Sequence, residues 1–182
     1  MLRDICPTGF ECGVLNGRVV PGSSVAIVGS GPIGLAALLT AQFYSPAEII
    51  MIDLDDTRLD VAKRFGATSI VNSSDGKAMQ KVMMMTAERG VDTAIEAVGI
   101  PATFEFCQQI IAPGGIIDKL RGHGEKVDLH LEPMWARKHP INQPPVETRS
   151  THRGTTVQPS HKTHAQYQST QPLQHEEELG DY

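Results

Sequence analysis

Residues 24–55 read SVAIVGSGPIGLAALLTAQFYSPAEIIMIDLD, and they decide the fold. Val25-Ala26-Ile27-Val28 is an apolar run too short for a helix and bounded by glycine. That is the pattern of a parallel strand covered on both faces. Gly29, Gly31 and Gly34 follow in the spacing G-x-G-x-x-G, and an apolar helix is predicted from Ile33 to about Phe43. A second apolar run, Ile49 to Ile52, ends on Asp53, about 20 residues past the third glycine. Strand, glycine turn, helix, strand and terminal acid together make the dinucleotide-binding fingerprint in the context it requires.

Each residue type has a physical task there. Gly29 permits the tight turn out of the strand, Gly31 lets the backbone approach a pyrophosphate, and Gly34 lets helix and strand pack closely. The free N–H groups and the positive end of the helix face the phosphates. Asp53 is placed to accept hydrogen bonds from both hydroxyls of an adenosine ribose. A 2′-phosphate would meet like charge, so NAD is favoured over NADP. The glycine loop of a methyltransferase, the nearest alternative, usually lacks this spacing.

Composition bounds the rest. The 182 residues suffice for one domain and some excess. The formal charge of −5 resides in residues 1–132, with 16 acidic and 11 basic side chains; residues 133–182 hold 5 of each. No basic cluster marks a nucleic-acid surface, and no apolar run reaches the ~18 residues of a membrane span. Cys6, Cys12 and Cys107 are odd in number and have no metal-pair spacing. A reduced, cytoplasmic protein is expected.

Taken in order, residues 1–20 read as a connecting segment, with a short helix over Thr8 to Leu15 and Thr8 near its N-cap. Pro21-Gly22 turns into the first strand. After Asp53, Leu59, Val61, Ala62 and Phe65 give a helical stripe that Gly66 closes. Thr68–Asn72 is a third strand. Asp75–Arg89 reads as a helix whose Met83-Met84-Met85 run lies partly on the sheet, as core filling rather than a cofactor contact. Val91–Gly99 is a fourth strand and Pro101–Ile111 a further helix. Ala112-Pro113-Gly114-Gly115 reads as a stop. The alternation predicts an α/β Rossmann fold, a doubly wound parallel sheet with right-handed crossovers and a ligand at the carboxyl ends of its strands.

A fifth strand belongs at about Ile116 to Leu120, but Asp118, Lys119 and Arg121 suit a doubly covered strand badly. An unpaired buried charge costs several kcal/mol or displaces the strand. The expected outcome is a disturbed fifth strand with an exposed sheet edge. Val127–Leu131 reads as an outer strand or loop, and His123 and His130 as loop histidines. Residues 21–132 therefore form the expected domain. Residues 133–182, rich in Pro, Thr, Gln and His and without period, read as a disordered tail, in which His161 and His164 are solvated.

The stretches DICPTGFECGVLNG, PGSSVAIVGSGPIGLAALLTAQ, IIMIDLDDTRLDVAKRFGAT, GVDTAIEAVG and IAPGG go beyond one short motif. Through them, residues 1 to about 132 resemble the coenzyme-binding half of the zinc-dependent alcohol dehydrogenases, of the medium-chain dehydrogenase/reductase family. The resemblance implies that Thr8 lies beside a nicotinamide ring. It implies that Gly29, Gly31, Pro32, Ile33 and Gly34 bind the pyrophosphate. Asp53 and Arg58 would contact the ribose, and Ala97 and Val98 would line the cofactor cleft. Asp4 matches the position of the third protein ligand of the catalytic zinc.

The same resemblance implies a small-molecule alcohol or carbonyl substrate and an oligomer whose dimer-forming strand is altered here by Pro140, Pro144 and Pro145. A catalytic zinc needs about three protein ligands, and Asp4 is the single candidate. The expectation is a truncated product with a tail read out of the ancestral frame, inactive in isolation. The alternative is a non-catalytic NAD-binding module.

Overall fold

The computed structural model describes residues 2–122 together with Lys126, Asp128 and Leu129, with side chains from Ile5 onward. Five parallel strands form one sheet: β1 Ser24–Val28, β2 Glu48–Asp53, β3 Ser69–Asn72, β4 Val91–Glu96 and β5 Ile111–Lys119. Their order is β3-β2-β1-β4-β5. This is the doubly wound order, in which the chain reverses direction across the sheet between β1 and β4. The helices are α1 Leu2–Pro7, α2 Pro32–Ala41, α3 Asp56–Arg64, α4 Ala78–Met85 and α5 Pro101–Ile110.

Strand periodicity sorts the apolar residues onto two faces. Val25 and Ile27 of β1, with Ile49 and Met51 of β2, pack beneath Ala37 and Leu38 of α2 and Leu59 of α3. Ala26, Val28, Ile50 and Ile52 point the other way, against Val82 of α4 and Phe104 and Cys107 of α5. Both faces are covered, which explains why these strands are continuous apolar runs.

The first segment differs from expectation. α1 runs without a break into a π-helical stretch, Thr8–Leu15, and Thr8 is not its cap. Gly9 lies so close to α2 that an added Cβ would stand 2.8 Å from the Ala36 Cβ. Val14 and Val19 are buried in the core. The segment read as a connector is thus packed onto α2.

Three further boundaries move. α4 is shorter than Asp75–Arg89: the Thr86 hydroxyl lies within 3.0 Å of the Val82 carbonyl, and Ala87 and Glu88 take left-handed conformations that end the helix. Met84 and Met85 are exposed, so they do not fill the core. β4 ends at Glu96, because residues 97–100 turn away.

β5 departs most from its reading. It forms, pairs with β4 and begins at Ile111. The Pro113-Gly114 stretch read as a stop is a bulge inside it: Val91 pairs with Ile111, and Thr93 already with Ile116. Asp118 pairs with Ile95 in full burial, and neither of its carboxylate oxygens has a hydrogen-bond partner among the described residues. Burial pushes its carboxyl up to about 7, so the strand carries an acid that is easily held neutral. The Val127–Leu131 reading falls mostly outside the described residues. Of it, Asp128 offers its carbonyl to the Gln108 amide at 3.0 Å. His123, His130 and residues 133–182 also lie outside them.

Candidate functional site

A cleft of about 600 Å³ opens at the carboxyl ends of β1, β2 and β4, where the strand order reverses. This is the crevice in which open parallel sheets bind ligands, and its volume suits a small molecule or cofactor. Its floor is the loop Gly29–Pro32 between β1 and α2. Gly29 has φ +105°, and an added Cβ would meet Val98 Cγ2 at 2.7 Å. A Cβ on Gly34 would overlap the Gly29 carbonyl oxygen. Gly31 is the opposite case: an added Cβ has nothing within 4 Å and would enter the cleft.

α2 starts at Pro32, with Gly31 as its N-cap and no side-chain cap. Pro32 has no N–H to leave unsatisfied, and the next amides of the first turn have no intrahelical acceptor. The helix dipole adds positive potential at the same place. The residues present therefore fit an anionic diphosphate: an open approach at Gly31, and donors with partial positive charge beyond it.

Asp53, half-buried at the end of β2, lines the far side. Its Oδ2 accepts the Ser30 N–H at 2.6 Å, and its Oδ1 accepts the amides of Leu54 at 2.8 Å and Asp55 at 3.1 Å. These bonds fix the carboxylate and leave further lone pairs toward the cleft. Arg58 also lines it and lies 3.8 Å from Asp55. Asp55 caps α3 by accepting the Thr57 amide at 2.8 Å, and that bond leads the effects that hold its carboxyl below the ordinary range.

The structure brings together Gly29, Gly31, Pro32, Asp53, Arg58, Ala97 and Val98, seven of the residues singled out from sequence. Ile33 and Gly34 sit in the first turn of α2 behind them. Thr8 is half-buried in the π-helical stretch and does not line the cleft. Asp4 lies in α1, and its side chain is outside the described set. Among the described residues no three His, Cys, Asp or Glu side chains converge as a metal site needs. Those residues do not build a zinc centre.

The sequence reading missed several lining residues. Arg121, read as a strand breaker, leaves β5 beside Gly99 and lines the cleft. Thr103 lines it from α5. Behind them Glu96, fully buried at the end of β4, accepts the amides of Val98 at 2.9 Å and Gly99 at 2.8 Å through Oε1. In the sequence, the one signal of this turn is a glutamate in an otherwise apolar run, directly before Ala97-Val98-Gly99.

Comparison with known proteins agrees with this geometry. The family profile described as zinc-binding dehydrogenase matches residues 32–137. The chain is similar to an alcohol dehydrogenase of Cupriavidus necator, at 37% identity over 144 residues, covering 78% of this chain and 39% of the relative. It is 36% identical over 125 residues to an NADP-dependent isopropanol dehydrogenase of Thermoanaerobacter brockii, covering 69% of this chain and 35% of that protein. Among solved structures, zinc dependent alcohol dehydrogenase 2 from Streptococcus pneumonia, in its apo form, superposes with a TM-score of 0.76 at 57% identity. That match covers 78% of this chain and 41% of the other. The chain thus spans about two fifths of the length of these relatives. With its doubly wound sheet, its glycine loop and this profile match, the chain belongs to the zinc-binding dehydrogenase family and corresponds to its dinucleotide-binding part.

Proposed function

We propose that the cleft binds NAD(H), and that the chain supplies the cofactor half of a zinc-dependent alcohol dehydrogenase acting on a small-molecule alcohol or carbonyl compound. The observation that carries the reading is the pairing of Gly31, open toward the cleft, with Asp53, fixed across it by the Ser30 amide. A diphosphate lies over Gly31 and the first turn of α2, and the adenosine ribose hydroxyls reach Asp53, with Arg58 beside them. Asp53 disfavours a 2′-phosphate by like charge, which selects NAD over NADP. Ala97 and Val98 form the opposite wall and keep water from one face of the cofactor.

When bound, the dinucleotide supplies hydride transfer to or from the substrate carbon. The residues described here bind and orient it; they do not include a polarising zinc site. No helix among the described residues is long and apolar enough to cross a membrane. Three free thiols fit a reducing, cytoplasmic setting.

Fluorescence titration of the purified chain with NADH, and with NADPH in parallel, tests the reading. Saturable, blue-shifted emission with NADH and much weaker binding of NADPH is expected. No saturable change with either overturns it. A second reading is a binding module without chemistry, since the chain holds the cleft yet spans about two fifths of the length of its relatives. Affinity for NADH without zinc-dependent alcohol oxidation distinguishes it.

A further inference from the structure

We propose that Glu96 is a positioning residue for dinucleotide binding, acting through Thr103 and the backbone of residues 98–99 to fix the wall of the cleft that faces the glycine loop. The proposal rests on the NAD(H) reading above. Glu96 does not itself line the cleft. It closes β4, where it pairs with Val28 on one side and Lys119 on the other, and it is 0% exposed. A carboxylate in such a place is costly unless its oxygens are taken up. Oε1 stands 2.9 Å from the Val98 amide, 2.8 Å from the Gly99 amide and 2.8 Å from the Thr103 hydroxyl. An apolar side chain would fill the volume at lower cost, but it would leave two backbone N–H groups of the turn without this acceptor.

The consequence of these bonds lies in the cleft. The Val98 amide is anchored to Glu96, and Val98 Cγ2 occupies the space against Gly29 where any Cβ would otherwise lie. The Ala97 amide is tied to the Val28 carbonyl at 2.9 Å. Gly99 holds φ +89°, a conformation open mainly to glycine, directly beside Arg121. Thr103 links the turn to α5: its hydroxyl also lies 2.9 Å from the Ile100 carbonyl. One buried acid therefore sets the position of Val98, Gly99 and Thr103 together, and through Val98 the mouth of the glycine loop. The adenosine end, at Asp53 and Arg58, is held by a separate set of bonds to Ser30, Leu54 and Asp55.

That separation gives the test. The full chain and its Glu96→Gln, Thr103→Val and Thr103→Ser variants are titrated with NADH and, by calorimetry, with adenosine, and each is followed through thermal unfolding. Adenosine has no phosphate for the glycine loop and reaches the Asp53 end only. Glu96→Gln keeps the acceptor position but offers a weaker acceptor than a carboxylate, and Thr103→Val removes the hydroxyl that Oε1 holds; both are expected to bind NADH about tenfold more weakly. Adenosine affinity stays at the wild-type level, and Thr103→Ser restores NADH binding. Unchanged NADH affinity in both variants overturns the proposal. So does equal weakening of NADH and adenosine, or a Thr103→Ser variant as weak as Thr103→Val. If Glu96→Gln does not unfold cooperatively, the two Thr103 variants decide. Failure of the wild-type chain to bind NADH overturns the dinucleotide reading itself, and the proposal with it.

Discussion

The Ser30 amide donates to Asp53 Oδ2 at 2.6 Å, joining the glycine loop to the end of the neighbouring strand. The acid proposed to read the ribose is thus also a brace for the loop proposed to hold the phosphates. Asp53→Ala is expected to weaken NADH binding by about 2 kcal/mol, about thirtyfold in Kd, and to shrink the margin over NADPH. Asp53→Asn keeps an acceptor for Ser30 but removes the charge. It should preserve stability while still narrowing that margin. Parallel NADH and NADPH titrations check both; an unchanged preference in Asp53→Asn contradicts the charge argument.

Gly31 and Gly34 should fail in different ways. Gly34→Ala drives a methyl group into the Gly29 carbonyl, and overpacking of this kind costs about 1–3 kcal/mol or more. Urea unfolding should show it directly. Gly31→Ala meets nothing within 4 Å, so stability should stay near wild type while NADH binding falls. A Gly31→Ala protein that binds normally would show that no ligand lies over that residue.

Asp118 predicts an unusual pH dependence. Its carboxyl is raised from 3.8 to about 7 by burial, so the folded chain binds the proton more tightly than the unfolded one. Its effect is absent below the ordinary value. Stability then falls as pH rises toward 7 and is flat above, a loss on the order of 4 kcal/mol at most. Asp118→Ala should raise the urea midpoint at pH 8 and change it little at pH 4. Equal shifts at both pH values would contradict the burial argument.

Asp92 behaves in the opposite sense. Burial pushes its carboxyl up, but the Ser24 amide and hydroxyl, both 2.9 Å from Oδ2, and Arg89 at 2.6 Å outweigh it and bring the carboxyl below the ordinary range. Its contribution is present above 3.8 and is lost as pH falls through the folded value. Asp92→Ala should cost about 1–3 kcal/mol at pH 7, since it strands the Ser24 amide. Denaturant midpoints should show the gap to wild type closing in acid.

The sheet and its glycine loop were legible because their signals are local. β1, the loop, α2 and β2 follow one another in sequence, and each residue type there is demanded by a neighbour a few positions away. β5 was not legible, because a charge scale assigns Asp118 the cost of an ion. Burial instead lifts its carboxyl to about 7, which removes much of that cost below neutrality. The bulge at Pro113-Gly114 hid the strand further by resembling a terminator. Glu96 escaped for a related reason: its acceptors' worth depends on donors at positions 98, 99 and 103, which only the folded turn gathers. The π-helical stretch carries no clear apolar stripe, so its docking on α2 showed only in the structure.

That docking has a mechanical consequence. Gly9 brings the backbone of the first helical segment into contact with Ala36 and Ala37 of α2, the helix that the floor loop of the cleft enters at Pro32. Position 9 tolerates only a hydrogen: a Cβ there would stand 2.7 Å from the Ala37 nitrogen and would push the first segment off the helix on which a dinucleotide would rest.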